Sequence, residues 1–160
     1  MNGVEEKPGR AGEAGAGKNA TRKLARHAAT LVYDALSPAV VELTRQCVLD
    51  TLGVTIGASG LSPEAKIVAD YVRDLGGKPE STVLGFGGKA PAPWAVFANG
   101  SLGHMLDYDD LGGGHVSITT VPVALALAEK LGGVSGRDLI TAIAAGADVM
   151  TRLALAIRIP

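Results

Sequence analysis

From Asn19 onward the apolar positions recur at helical spacing, and the breaks between the runs carry turn chemistry. Leu24, Ala28, Leu31, Val32 and Ala35 form a first amphipathic stripe. Ser37 followed by Pro38 is an N-cap with proline in the first turn, after which Val40, Val41, Cys47, Val48 and Leu52 share one broad face. That helix is expected to run to about Ala58 and stop at Gly60. Ser62 and Pro63 repeat the device, with Ile67, Val68, Tyr71, Val72 and Leu75 expected to face inward and Gly76 to close the helix. The stretch 81–85 (STVLG) is short and β-branched, so it reads as a small strand or extended link, and FGGKAPAP after it as a loop. A fourth helix begins near Pro93 and carries Trp94, Phe97, Ala98, Leu102 and Met105. Asn99 and Gly100 inside it are poor helix formers that mark a break or a close helix contact. The pattern predicts a fifth helix from Val121 to Leu131, with Pro122 near its first turn and Gly132 and Gly133 ending it. Ser135 and Asp138 open a last helix, which carries Ile140, Ile143, Ala144, Val149, Leu153 and Ala154 to about Ile157. The apolar faces and short connections predict an all-α helical bundle over 19–160, preceded by a disordered tail over 1–18. The chain stops at Pro160 directly after an apolar helix, so further chain is expected to follow.

Composition narrows the classes. With 47% hydrophobic but only 4% aromatic residues, the core has to be built from Ala, Leu, Val and Ile, which suits close helix packing. A net charge of −1 with no basic patch argues against a nucleic-acid partner. The single cysteine, Cys47, sits in an apolar pattern and reads as a core thiol. No run reaches the roughly 18 consecutive apolar residues of a membrane span, and no apolar stretch opens the chain as a secretory signal would, so a cytoplasmic location is expected.

Against this background the segment HMLDYDDLGGGHVS, His104 to Ser117, stands out: three carboxylates, two imidazoles, a hydroxyl and three consecutive glycines. Asp107 follows Leu102, Met105 and Leu106 and so falls at the C-terminal end of the fourth helix, where the helix dipole disfavours acids. Four readings stay open on spacing alone. Asp109 and Asp110 can be plain turn formers. D-x-D-D resembles acidic clusters that hold Mg²⁺, but there is no second acidic motif and no nearby phosphate-binding cation. A zinc site from His104, Asp107 and His115 is conceivable, though it lacks a histidine pair at i, i+4. Finally, His115 beyond a glycine arm suits a general acid or base near neutral pH. The glycines lack the preceding strand and the Lys-Ser/Thr ending of a phosphate loop.

The stretches AVFANGSLGHMLDYDDLGGGHVS and PVALALAEKLGGVSGRDLITAIAAGADVMTRL resemble the MmgE/PrpD family, whose pattern runs A-x-x-N-G, H-x-x-D-F-D-D-T, a variable loop, H-P-S and a proline-led Ala/Leu helix. VVELTRQCVLDTLGVTIGAS is similar to the family's first long helix, so the resemblance covers about 22–158. It implies the N-terminal part of a large helical domain, with the family's smaller α/β lid domain absent from this chain. It implies a lyase of the 2-methylcitrate dehydratase type acting on a small di- or tricarboxylate, with cis-aconitate decarboxylases and iminodisuccinate epimerases as relatives. No metal or organic cofactor is implied, and homodimers are common. Position by position, Asp107 and His115 match active-site residues and are the expected catalytic pair. His104, Asp109, Asp110 and Ser117 match the surrounding motif and are expected to bind substrate. Leu111 replaces the family's Thr and Val116 its Pro, and the intervening loop is shorter and all glycine, which alters how a substrate would be oriented. The segment has no Lys or Arg, so cations for a polycarboxylate must come from elsewhere, and the chain alone is expected to be inactive or nearly so. A competing expectation from a different class is a non-catalytic helical module whose exposed apolar faces self-associate or bind a partner chain.

Overall fold

The computed structural model describes residues 19–110 and 114–157. The expected tail over 1–18 and the substituted Leu111 lie outside them. Among the described residues the fold is all-α: α1 (Ala20–Thr30), α2 (Pro38–Leu61), α3 (Pro63–Leu75), α4 (Ala92–His104), α5 (Val116–Leu131) and α6 (Gly136–Ala156), with a 3-10 turn at Tyr33–Ala35. The extended stretch after α3 becomes a minimal antiparallel hairpin, β1 (Ser81–Thr82) on β2 (Lys89–Ala90), in register Ser81 to Ala90 and Thr82 to Lys89.

Helix starts follow the serine signals. Ser37 Oγ accepts from the Val40 amide (3.3 Å) at α2, and Ser135 Oγ from the Asp138 amide (3.1 Å) at α6. The stripe expected to make one helix through Ala35 is broken instead. Leu31 and Val32 turn extended, and the 3-10 turn docks on α6 through Arg137, which pairs with Asp34 and stacks 4.1 Å above the Tyr33 ring. α1 buries no residue and is tied to α6 by His27 and Asp148 (2.9 Å).

The helices pack by their small residues. On α3 the inward positions are Ala65, Ala69 and Val72, whereas Ile67, Tyr71 and Leu75, expected inside, are exposed. On α2 they are Val41, Thr44, Thr51, Thr55 and Ala58, while Val40 is exposed and Cys47 only half-buried. The hydroxyls of Thr44 and Thr55 bond back into the helix, Thr55 to the Thr51 carbonyl at 2.6 Å, whereas the buried Thr51 hydroxyl finds no partner among the described residues. Ala95, Ala98 and Leu102 of α4 complete the centre with Val83 and Ala90 of the hairpin.

Asn99 and Gly100 do not break α4. Asn99 is buried and latches the hairpin: its Oδ1 accepts from the Leu84 amide and its Nδ2 donates to the Thr82 carbonyl, both at 2.9 Å. The close helix contact falls at Gly103, where a β-carbon would lie 2.0 Å from Ile118 Cδ1 and 2.9 Å from Thr55 Oγ1. The absence of a side chain there lets α2, α4 and α5 converge one residue before His104.

α6 is long and apolar enough to cross a membrane by length and composition, although no uninterrupted apolar run in the sequence reaches that length. Its Ile143, Ala144 and Ala145 are buried in the bundle, and Asp148 pairs with Arg152 (2.7 Å) as well as His27.

Candidate active site

α4 ends at His104, and the chain turns through Asp107, whose φ of 54° lies in the left-handed region that Asp tolerates better than most residues. This turn brings the next helix start to the end of α4. α5 begins at Val116, five residues earlier than the pattern predicted, so Pro122 sits inside it. The early start has a donor-acceptor cause: Asp110 Oδ1 accepts from the Ser117 amide at 3.0 Å, a carboxylate seated on the positive end of α5. Two of the three acids are therefore not stranded at an unfavourable helix end, while Asp107 stays exposed just beyond the end of α4. Asp110 serves the following helix, and Asp109 is neutralised from two sides.

Asp109 is the centre of the cluster. Its side chain is fully buried, with Oδ1 3.0 Å from His104 Nδ1 and Oδ2 2.8 Å from His115 Nδ1. The two imidazole rings meet edge to face with centroids 4.4 Å apart. Burial pushes the Asp109 carboxyl up, but the His104 hydrogen bond, its own backbone amide and the positive charge of an imidazolium beside it hold it below the usual carboxylate range. The hydrogen bond that His104 donates to Asp109, then the Asp109 charge, raises the His104 imidazole above its ordinary value, with the Asp107 charge adding to the effect.

Both histidines line an open cleft of about 600 Å³ with Gly100, Ser101, Met105, Ile118, Thr119 and Met150. The structure thus brings together His104, Asp109 and His115, with Asp107 exposed at the rim. Asp110 and Ser117 are placed elsewhere: Ser117 is buried, and both line a neighbouring cavity of about 400 Å³ between α2, α5 and α6, beside Cys47. Ser101 and Thr119 are the polar cleft residues that the sequence reading missed. Helical spacing signals both, since Ser101 lies three residues before His104 on α4 and Thr119 four after His115 on α5.

One potential ligand atom from each of His104, Asp107, Asp109 and His115 lies within 4.8 Å of the others, so these four could hold a metal ion. No helical i, i+4 pair is needed, because the histidines come from two elements. The Nδ1 to carboxylate separations of 2.8 and 3.0 Å are, however, those of hydrogen bonds, shorter than the about 3.3 Å that two ligands keep around a tetrahedral ion. As folded, these separations suit imidazole–carboxylate hydrogen bonds.

The family model for the MmgE/PrpD N-terminal domain matches residues 22–160. A cis-aconitate decarboxylase of Mus musculus is 31% identical over 142 residues, covering 85% of this chain and 29% of that protein. A cis-aconitate decarboxylase of Homo sapiens is 34% identical over 125 residues, covering 74% of this chain and 26% of that protein. The chain spans less than a third of the length of either relative.

Proposed function

The chain belongs to the MmgE/PrpD family, and from that membership we propose that His104 and His115 are the proton-transferring pair of a lyase acting on a small polycarboxylate. The observation that carries this reading is the pair itself: two imidazoles 4.4 Å apart on one wall of a cleft, with a buried carboxylate behind them. The similarity to cis-aconitate decarboxylases favours an unsaturated tricarboxylate as substrate. The carbon–carbon bond to a carboxylate breaks, carbon dioxide leaves, and the electron pair left on carbon takes a proton from an imidazolium. In the hydro-lyase alternative, one imidazole removes the carbon-bound proton and the other protonates the departing hydroxyl. Asp107 at the rim adds negative charge that favours the imidazolium form of His104.

Among the described residues no Lys or Arg lines the cleft. The carboxylates of the substrate therefore need cations from other parts of the protein, and the 160-residue chain alone is expected to turn over slowly or not at all. The test is to supply cis-aconitate and 2-methylcitrate to the chain and to the product of its whole open reading frame, following carbon dioxide release and water elimination. We expect activity in the latter, lowered about 10²–10⁴-fold by His115→Ala. Turnover indifferent to both His115→Ala and His104→Ala would overturn the reading.

A second reading, a non-catalytic helical module that associates through its surface, is favoured by the exposure of Leu49 (74%), Leu61 (73%), Ile67 (69%) and Leu131 (74%).

A further inference from the structure

Three features of the cleft bear on how its histidines share a proton. The first is that each oxygen of Asp109 faces a different Nδ1, while the carboxylate itself has no exposure and does not line the cleft. An ionised carboxylate only accepts hydrogen bonds, so both Nδ1 atoms must donate. Each Nε2, on the far side of its ring from Asp109, is then the atom left to face a substrate.

The second is charge. One carboxylate balances one imidazolium, and a second would set two cations with centroids 4.4 Å apart around a single anion. Of the other acids, Asp107 is exposed at the rim and Asp110 is engaged by the Ser117 amide.

The third is where the two rings sit on their helices. His104 is in the last turn of α4, at the negative end of that helix, whereas His115 is the N-cap of α5, at its positive end. The backbone dipoles therefore favour the extra proton on one histidine and oppose it on the other.

We propose that Asp109 is a positioning residue that holds both imidazoles as Nδ1–H tautomers, and that the helix ends assign the single extra proton to His104, making His104 the acid and His115 the base. This rests on the reading that the two imidazoles are the proton-transferring groups, and it gives each a distinct role. In decarboxylation the proton leaves Nε2 of His104 for the carbon that has lost carbon dioxide, and a solvent proton restores the imidazolium. In elimination His115 Nε2 takes the carbon-bound proton, the C–H electron pair forms the double bond, and the C–O pair leaves on oxygen, which takes the proton from His104.

The test is nitrogen-edited NMR of the imidazoles in the full chain near neutral pH, with signals assigned through His104→Gln and His115→Gln. We expect His115 as a neutral ring protonated on Nδ1 and His104 protonated on both nitrogens. In Asp109→Asn both signals should move to the averaged tautomer pattern of a free histidine, with the helical circular dichroism retained. Asp109→Glu should recover part of the wild-type pattern. In the active protein, Asp109→Asn should lower kcat about 10–100-fold with a smaller change in KM. A wild-type spectrum showing Nε2–H tautomers, the extra proton on His115, or no response to Asp109→Asn would overturn the proposal. If Asp109→Asn does not fold, the wild-type spectrum decides alone. The expected spectrum without turnover of any polycarboxylate would leave the Asp109 assignment standing and refute the lyase reading.

Discussion

His104 gains more from being protonated in the folded chain than a free histidine does, because Asp109 hydrogen-bonds it and Asp109 and Asp107 carry charge beside it. Its folded value lies above the unfolded 6.5, so its contribution to stability is complete below about pH 6.5 and is lost as pH rises through the raised folded value. Asp109 works in the opposite sense. Its folded value lies below 3.8, so its contribution is present above about pH 4 and lost as pH falls through the lowered value. We therefore expect the urea midpoint to fall as pH rises above about 6.5, and this slope to flatten in His104→Gln. A slope unchanged by that substitution would show that the pair does not couple to folding. At this scale the sequence pointed to the segment whose side chains the fold gathers, but not to their partnerships. Asp107, the first acid of the motif, was expected in the catalytic pair, yet the buried contacts to the imidazoles belong to Asp109, two residues on. Spacing could not reveal this, because which carboxylate turns inward depends on the left-handed backbone at Asp107.

At the scale of elements, the carboxylate of Asp110 sets where α5 begins, and with it the position of His115 at the N-cap. Asp110→Ala should cost about 0.5–2 kcal/mol in chemical denaturation, and Asp110→Asn, which keeps an acceptor, distinctly less. Equal losses from the two would refute the capping role. The helices themselves were legible from their punctuation: Ser37, Ser62 and Ser135 before the starts, Gly76 and Gly132 after the ends. Which face of a helix turns inward was less legible. Large side chains were expected inside, yet close approach at Gly103, Ala65 and Ala69 puts small residues between helices and leaves Ile67, Tyr71 and Leu75 outside. The start of α5 was missed because Pro122 was read as a first-turn residue, when a cap contributed from outside the helix had already set the first turn at Val116.

At the scale of the whole molecule, the outward apolar residues form more than scattered points. On α3 and α4, Tyr71 and Trp94 each pack edge to face on Phe97, with centroids 6.4 Å apart, and all three rings are exposed. The 160-residue chain is therefore expected to self-associate in sedimentation velocity as concentration rises, and Ile67→Lys with Phe97→Lys to shift it toward monomer. A monomer at all concentrations would remove the support for association through this face. The histidine–carboxylate group differs from that surface in its connectivity. Asp109 lies only five residues after His104 and six before His115, whereas Met150, on the cleft's other wall, lies 31 residues beyond Thr119. Closing short loops costs little chain entropy, so the trio of His104, Asp109 and His115 can assemble from its own stretch of chain, while the enclosure around it waits for α6 to dock. A fluctuation that lifts α6 away would then open the cleft and leave the trio behind it in place.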